Sequence, residues 1–444
     1  MDFTPHTDAD IVRMLGTFGM KDPADLFSHL PSDLLLDRPL DLPGPWSEFE
    51  VMRHIDDLGS GNRSDLVCFA GGGVYDHFLP TVVRALTMRP EFVTSYTPYQ
   101  SEVSQGMLQA LFEYQSMVAA ITGLAIANAS LYDGATAALE AVNLAVSATR
   151  REAVWLSRGL APNTREVIST FAKARSLDVV EHPIVGGRTA WAADAAGPPA
   201  AVVFGQPNYL GVIEDYDKAV SLAGESGALA VAVVDPMLLG VLRSPGAAGC
   251  DIAVAEGQPF GNPMSFGGPV LGMFAATQKL MRRMPGRLTG KTTDGEGRTA
   301  YTLTLRTREQ DIRREKASSN ICTNQSLNAL AAAIHLAWLG PEGLAEAGRR
   351  SVQKAHYLAK RLAQIKGVNP VADAPFAREF PLLTPIDPSA IISGMAERGY
   401  LAGIPLAGDY PEYPGGLLVA VTEQRTKEQL DGYVSALEEV IADA

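Results

Sequence analysis

The chain has 444 residues, of which 46% are hydrophobic and 20% are charged, and its formal net charge is -13 at pH 7. This length predicts two or three domains, because single hydrophobic cores stop growing at about 250 to 300 residues. The composition is that of an ordinary soluble globular protein. The acidic balance argues against nucleic acid or an anionic membrane as a partner.

No targeting segment, membrane span or metal site is expected. The first residues, Met1 to Pro5, contain no basic residue and no apolar core, so they do not form a signal peptide. No apolar run reaches the roughly 20 residues that a spanning helix needs. The cysteines at positions 68, 250 and 322 lack metal-ligand spacing and suit a reducing compartment. We therefore expect a cytoplasmic protein.

Residues 1–65 are predicted to form an N-terminal helical arm. Thr7 and Asp10 have the spacing of a capping box. Asp22-Pro23 predicts the start of a second helix, and a third is expected over residues 49–58. Because so short a segment cannot bury a core of its own, we expect it to pack across the main domain.

The next part of the chain, residues 71–123, contains a run of glycines and the apolar pattern of a helix. Three glycines at 71–73 permit a tight turn or the close approach of a ligand. Nearby His77 is open to a catalytic or a structural role. A helix ending at Gly123 is predicted because apolar residues recur every three or four positions: Val103, Met107, Leu111, Tyr114, Val118 and Ile121.

A second helix start stands at Asp133, Gly134 and Thr136, just ahead of a run of good helix formers. Free N–H groups and the positive end of the helix dipole suit an anion such as phosphate there. A plain helix cap explains the same residues equally well.

From residue 153 onward, apolar runs alternate with helical segments. Strands are predicted at 153–157, 200–205, 229–235, 251–255 and 270–274, with helices at 164–174 and 215–224 between them. This order predicts a largely parallel sheet covered on both faces, with ligands at the carboxyl ends of its strands. Asp235 stands at one such end, where it either contacts a ligand or begins a turn with Pro236.

Two further stretches complete the chain. A basic tract is either a solvated face or an anion-holding segment near a cleft or interface; its members are Arg282, Arg283, Arg287, Lys291, Arg306, Arg308, Arg313, Arg314 and Lys316. Residues 331–444 are predicted to form an α+β small domain, with helices at 345–362 and 426–442 and strands at 380–384 and 417–421.

Several exact strings carry a family resemblance. They are Tyr-Thr-Pro-Tyr-Gln at 96–100, Ser-Gln-Gly at 104–106, Asn-Ala-Ser-Leu-Tyr-Asp-Gly-Ala-Thr at 128–136 and the polar segment at 313–325. Together they resemble the P-protein of the glycine cleavage system, a pyridoxal-phosphate (PLP) glycine dehydrogenase (decarboxylating). The resemblance covers essentially the whole chain and is to the alpha chain, subunit 1, of enzymes split into two polypeptides.

This resemblance implies an α/β, PLP-dependent aminotransferase-like (fold type I) large domain at residues 66–330, beside the small domain and an arm that contributes to subunit contacts. The Schiff-base lysine of such an enzyme comes shortly before the glycine-rich turn. Here no lysine lies between Lys218 and Lys279, and by spacing to Gly267 the equivalent residue is Gln258. Because glutamine cannot form an imine, PLP is expected on a beta-chain lysine and not covalently on this chain.

The resemblance also implies an activity: with a beta chain (subunit 2) in a heterotetramer, decarboxylation of glycine, release of CO2 and transfer of the aminomethyl group to the lipoyl group of the H-protein. The expected contribution to the shared active site is a wall of Tyr96, Thr97, Tyr99, Gln100 and Glu102. The expected cofactor pocket, degenerate in this chain, comprises Ser130, Asp133, Gly134, Thr136 and Asp235. Two alternatives stay open: a stand-alone PLP enzyme using Lys316 or Lys291, and a noncatalytic scaffold for the beta chain.

Overall fold

The computed structural model describes residues 5–192 and 197–444. The chain divides into two compact units, Met1–Ser64 and Asp65–Ala444. Within the described ranges, every helix is too short or too polar to cross a membrane.

The N-terminal unit contains helices α1 (Asp8–Gly16) and α2 (Glu48–Ser60) and two short 3-10 turns between them. The predicted capping box is confirmed, since Thr7 N donates to Asp10 Oδ2 at 3.0 Å and Asp10 N donates to Thr7 Oγ1 at 3.3 Å. The prediction of a helix after Asp22 is wrong in type, because Pro23–Phe27 is a single 3-10 turn. Pro31 follows closely and disfavours helical backbone in the residue before it.

This unit has almost no buried side chains. Leu15 is the one buried residue among positions 5–64. Its exposed large hydrophobic residues include Phe18, Leu36, Leu40, Leu42, Trp46 and Phe49. Exposed apolar area on this scale is typical of a surface that a partner covers.

The second unit contains the remaining elements. Its helices are α3 (Thr81–Thr87), α4 (Pro90–Val93), α5 (Gln105–Thr122), α6 (Gly134–Thr149), α7 (Pro162–Arg175), α8 (Tyr216–Ser226), α9 (Pro245–Ala248), α10 (Gln310–Arg313), α11 (Ser326–Leu362), α12 (Pro388–Glu397) and α13 (Lys427–Ala442). Its strands are β1 (Val67–Cys68), β2 (Ile126–Ala127), β3 (Ala153–Ser157), β4 (Asp178–His182), β5 (Ile184–Val185), β6 (Arg188–Thr189), β7 (Ala201–Gln206), β8 (Leu229–Val234), β9 (Ile252–Glu256), β10 (Gly272–Ala276), β11 (Leu288–Thr293), β12 (Thr299–Thr304), β13 (Asn369–Pro370), β14 (Glu379–Leu383), β15 (Tyr400–Leu401), β16 (Ile404–Pro405) and β17 (Gly416–Ala420).

A seven-stranded sheet in the order β2-β10-β9-β8-β7-β3-β4 forms the centre of this unit. The five strands from β9 to β4 are parallel, as predicted, whereas β10 pairs antiparallel with both β9 and β2. Strand β4 was missed by the sequence prediction. Its burial is mixed because it lies at the sheet edge, so it lacks the continuous apolar run of a central parallel strand.

The two faces of the sheet pack against different helices. Trp155 and Val202 lie in one hydrophobic cluster with α5, while Val154 and Val203 lie in the other with α6. This alternation follows from the pleat, which turns successive side chains to opposite faces. Helices therefore cover both faces of the sheet. The carboxyl ends of its parallel strands lie together at one edge.

Helix α5 ends where predicted but begins later. Its C-terminal cap is Gly123 at φ +68°, a conformation that glycine adopts without strain. Including Val103 in the helix face was wrong, because Val103 lies in the 3-10 turn Ser101–Val103 and is 78% exposed. The backbone of Ser104, at φ -126° and ψ 22°, separates this turn from the helix.

The C-terminal part forms an antiparallel sheet in the order β13-β14-β17-β16, with α12 and α13. Its predicted strands and last helix lie within one residue of β14, β17 and α13. The predicted boundary at 330/331 falls inside α11, which has non-helical backbone at Gly340. The division into large and small domains stays a prediction.

Candidate functional site

A cavity of about 470 Å³ lies at the carboxyl ends of the parallel strands, and we call it the sheet-edge cavity. Four of the five predicted cofactor-pocket residues line it: Asp133, Gly134, Thr136 and Asp235. The fifth, Ser130, is fully buried and does not line it. This is the position at which open α/β sheets bind their ligands.

The start of α6 is satisfied by side chains of this chain. Asp133 is the N-cap, and its carboxylate accepts from Thr136 N at 2.7 Å and from Thr136 Oγ1 at 3.1 Å. Gly134 N donates to Glu256 Oε2 at 2.9 Å. A Cβ at position 134 would lie 2.8 Å from the backbone nitrogen of Glu256, so only glycine allows this close approach. Carboxylates therefore stand where a phosphate would bind.

Glu256 is the central acid of this arrangement. Besides Gly134, its carboxylate accepts from the backbone N–H groups of Gln258 and Leu271, each at 2.9 Å. Burial raises its pKa to about 7, although these hydrogen bonds favour the ionised form. The group is thus partly ionised at neutral pH.

Asp235 is paired within the chain. Arg378 Nε donates to its Oδ2 at 2.6 Å, and Met237 N donates to its Oδ1 at 3.1 Å. Arg378 is 1% exposed, and its guanidinium carbon lies 3.6 Å from the centre of the Tyr75 ring. An aspartate neutralised in this way has little attraction left for the nitrogen of a ligand ring.

Glu379 completes the group of acids. Its two oxygens accept from Gly72 N and from the Tyr75 hydroxyl, both at 2.8 Å. Burial raises the pKa of Glu379 to about 7. Arg378 therefore lies among Asp235, Glu379 and the Tyr75 ring. The hydrogen bonds of Glu379 connect the start of β14 to the glycine turn at 71–73.

His77 has polar contacts on both ring nitrogens. Its Nδ1 lies 2.5 Å from Glu423 Oε2, and its Nε2 contacts Arg378 Nη1. Burial by itself would raise the pKa of Glu423, but the hydrogen bond and charge of His77 outweigh it and lower the pKa to about 2. These contacts support the structural alternative for His77, because they join it to two distant segments of the chain.

Gln258 is buried, and its side chain forms hydrogen bonds with other residues of this chain. Its Oε1 accepts from Tyr75 N at 3.2 Å, and its Nε2 donates to the carbonyl of Asn262 at 2.8 Å. No lysine is among the described residues that line the sheet-edge cavity, and neither Lys291 nor Lys316 is one of them. Within the same part of the chain, no group of His, Cys, Asp or Glu is arranged to hold a metal ion.

These residues do not fit PLP. Covalent PLP needs a lysine, N–H groups for its phosphate and a free carboxylate for its ring nitrogen. The cavity instead offers Gln258 beside it, a helix start bonded to Glu256, and an aspartate paired with Arg378.

Tyr96 and Thr97, the first two predicted wall residues, line a different cavity. An open cavity of about 550 Å³, which we call the Tyr96 cavity, is lined by Ser95, Tyr96, Thr97, Tyr132, Pro269, Arg287 and residues 323–328. The Tyr96 hydroxyl lies 3.0 Å from Thr323 Oγ1. Asn324 Nδ2 donates to the carbonyl of Ser130 at 3.2 Å, which fixes the polar segment at the rim.

The other three predicted wall residues are Tyr99, Gln100 and Glu102. Tyr99 accepts a hydrogen bond from Arg287 Nη2 at 3.0 Å, and the guanidinium of Arg306 lies 4.9 Å from its ring centre. Gln100 and Glu102 are exposed. None of Tyr99, Gln100 and Glu102 lines the Tyr96 cavity. Their roles stay predictions.

Sequence reasoning missed Arg378 and Glu379. The strand predicted at 380–384 left both in a loop, whereas Glu379 is the first residue of β14 and both are buried. An adjacent arginine and glutamate at the start of an apolar strand was the available signal, because buried charges require partners.

Comparison with known proteins gives a consistent result. The model of the family "Glycine cleavage system P-protein" matches residues 1–437. A relative from Moorella thermoacetica, named probable glycine dehydrogenase (decarboxylating) subunit 1, is 48% identical over 445 residues, covering 100% of both chains. A relative of the same name from Chlorobium limicola is 47% identical over 446 residues, covering 98% of this chain and 99% of its own.

Solved structures agree. A crystal structure of glycine decarboxylase (P-protein) of the glycine cleavage system, in inhibitor-bound form, has a TM-score of 0.90 at 47% identity and covers 99% of this chain and 100% of its own. A NifS-like protein has a TM-score of 0.65 at 12% identity, covering 85% and 100%, and shows the fold alone. The expected PLP-dependent aminotransferase-like fold is confirmed. The chain belongs to the P-protein family of the glycine cleavage system.

Proposed function

We propose that this chain is the alpha subunit, subunit 1, of a two-chain glycine decarboxylase of the glycine cleavage system. With its beta chain it decarboxylates glycine on PLP, releases CO2 and transfers the aminomethyl group to the lipoyl group of the H-protein. Full-length relatives at 45 to 48% identity that carry the name subunit 1 support this assignment.

The observation that carries the proposal is the contrast within the second unit. In the sheet-edge cavity, Glu256 and Arg378 bond to the groups that would hold PLP, whereas the Tyr96 cavity is lined by Tyr96, Thr97 and Thr323. A chain built in this way contributes hydrogen-bonding side chains to a cofactor that another chain holds. Tyr96, Thr97 and Thr323 are our first candidates, and PLP is assigned to a beta-chain lysine.

The N-terminal unit supports the need for a partner. Its apolar side chains are exposed in this chain, and each large one gains roughly 1.5 to 3 kcal/mol when it is fully buried. We assign this surface to subunit contacts in an assembly of two alpha and two beta chains.

Absorbance of the purified chain with PLP, alone and with the beta chain, tests the proposal. Each sample is then reduced with borohydride and its peptides are mapped by mass. We expect no adduct on the isolated chain, and an adduct on the beta chain with glycine-dependent CO2 exchange in the mixture. An adduct on Lys316 or Lys291 would instead establish a stand-alone enzyme.

A further test separates an active-site wall from a scaffold. Substitutions at Tyr96 and Thr323 are made in the reconstituted complex, and assembly and CO2 exchange are measured together. Unchanged exchange in a fully assembled complex would favour the scaffold.

A further inference from the structure

A second concave surface of the large unit is strongly basic. A groove of about 540 Å³, which we call the basic groove, is lined by Asn143, Ser147, Ser318 and seven cationic side chains. The cations are Arg150, Arg175, Arg282, Arg283, Arg308, Arg313 and Lys316. They come from the ends of α6 and α7, the turn before β11 and the segment at 306–316, so the fold brings together charges that are far apart in sequence.

These cations form no direct ion pairs within the described part of the chain, although Arg308 feels the charge of Glu309. Several arginines elsewhere in the chain are paired, as Arg398 is with Glu439 at 3.1 Å and Arg425 with Asp76 at 2.5 Å. Among the described residues, none of the seven lies within the 4.0 Å of a carboxylate oxygen that defines an ion pair. The nearby acids Glu140 and Glu309 are buried and do not line the groove.

Unpaired like charges in one groove repel each other. This repulsion is weak in water and stronger where the dielectric constant is lower. In a chain of net charge -13, such a concentration of positive charge is not a consequence of overall composition. An anion bound in the groove would turn this repulsion into attraction.

Arg308 is the least exposed of the seven cations. One of its terminal nitrogens donates to the carbonyl of Met284, while Nε and Nη2 are buried without an acceptor. Burial also lowers the pKa of this guanidinium. Buried donors without acceptors are rare in proteins, because leaving one unsatisfied is destabilising.

We propose that the basic groove binds a small polyanion that carries two or more phosphate groups. Arginine forks match phosphate oxygens in pairs, and the volume is that of a small-molecule site, about 300 to 1,000 Å³. The net negative charge of the chain disfavours a long nucleic acid. The site is separate from the sheet-edge cavity, because α6 begins at that cavity and its 16 residues span about 24 Å to Arg150.

Titration calorimetry of the full-length chain with inorganic tripolyphosphate tests the proposal, with pyrophosphate and orthophosphate as shorter probes. We expect saturable binding of one tripolyphosphate per chain, with affinity rising with phosphate number and falling with salt. Arg282→Ala/Arg283→Ala should weaken binding at least about tenfold, the loss expected of one charge-assisted hydrogen bond. Arg313→Ala serves as a second variant, and thermal unfolding confirms that each variant is folded.

A matched control removes equal charge from arginines outside the groove. Arg298 pairs with Asp294, and Arg349 with Glu346, so Arg298→Ala/Arg349→Ala should leave affinity unchanged within about twofold. No saturable binding, or an equal loss in both double variants, would overturn the proposal. Tighter binding of a single-stranded oligonucleotide would overturn it in favour of nucleic acid. Loss of beta-chain binding without any phosphate binding would assign the groove to a protein contact.

Discussion

The sheet-edge cavity and the Tyr96 cavity lie in the same compact unit but are built in opposite ways. In the first, ionisable groups bond to one another: Asp235 to Arg378, Glu379 to Tyr75, and Glu256 to the start of α6. In the second, most of the polar side chains that line the open surface carry neutral hydroxyl or amide groups, Arg287 is the one charged residue among the described residues of the lining, and Tyr96 is 75% exposed. The difference lies in pairing: besides the glutamine at position 258, the charged side chains around the sheet-edge cavity are bonded within this chain.

Removal of Arg378 is expected to have the largest effect. Arg378→Met leaves the carboxylate of Asp235 buried without its partner, and breaking a buried pair in this way costs about 3 to 5 kcal/mol. Denaturant unfolding of the full chain measures the loss. The double variant Asp235→Asn/Arg378→Met should recover part of it, and equal losses in the single and double variants would contradict the pairing.

The second-largest expected effect is a change in stability with pH that comes from the titration of Glu379. Because its pKa rises from 4.5 to about 7 on folding, the folded chain binds more protons than the unfolded chain between these values. The free energy of unfolding should therefore decrease as the pH rises from 4.5 to 7, by up to about 1.4 kcal/mol per pH unit from this group. Glu379→Gln keeps both hydrogen bonds possible and should remove this group's share of the slope, leaving the share of Glu256, whose pKa is also raised to about 7.

Glu423 provides the matched control for that slope. Its pKa is lowered to about 2, so it stays ionised throughout the same window. Glu423→Gln should change the overall stability but leave the slope above about pH 5.5 intact, because an unfolded glutamate is then also largely ionised. A slope that Glu379→Gln leaves unchanged would show that Glu379 is ionised in the folded chain.

Tyr96→Phe probes the open cavity. Loss of its hydroxyl should lower glycine-dependent CO2 exchange of the assembled complex about tenfold, the value of one hydrogen bond of about 1.4 kcal/mol, without changing stability. Tyr301→Phe is the control, because the Tyr301 hydroxyl makes no hydrogen bond within the described residues. Equal activity in both variants would remove Tyr96 from the active site.

The smallest effect is expected at Val103. Because its side chain is 78% exposed, Val103→Ser should change the free energy of unfolding by less than about 0.5 kcal/mol. Leu111→Ala, on the buried face of α5, should cost about 2 to 5 kcal/mol. A large loss at Val103 in thermal unfolding would restore it to the helix core.

Local patterns predicted much of the fold because their causes are local. The period of α5, the left-handed cap at Gly123 and the apolar runs of β3, β7 and β8 are all set by neighbouring residues. Strand β4 was missed because edge strands lack a continuous apolar run.

The sites depend on contacts that sequence order does not reveal. Asp235 and Arg378 are 143 residues apart, and Tyr96 and Thr323 are 227 apart. A single sequence indicates that buried charges need partners but not which ones they find. This is why four residues of the sheet-edge cavity were predicted, whereas Arg378, which pairs with Asp235, was not.

Placing a lysine at position 258 tests most directly whether the chain's own charged residues keep PLP out of the sheet-edge cavity. The full-length Gln258→Lys variant is incubated with PLP, its absorbance is recorded, and it is reduced with borohydride and mapped by peptide mass. Our account predicts a folded chain without a PLP adduct at position 258, because Glu256 still occupies the start of α6 and Arg378 still pairs with Asp235. A stoichiometric adduct at that position would contradict this account.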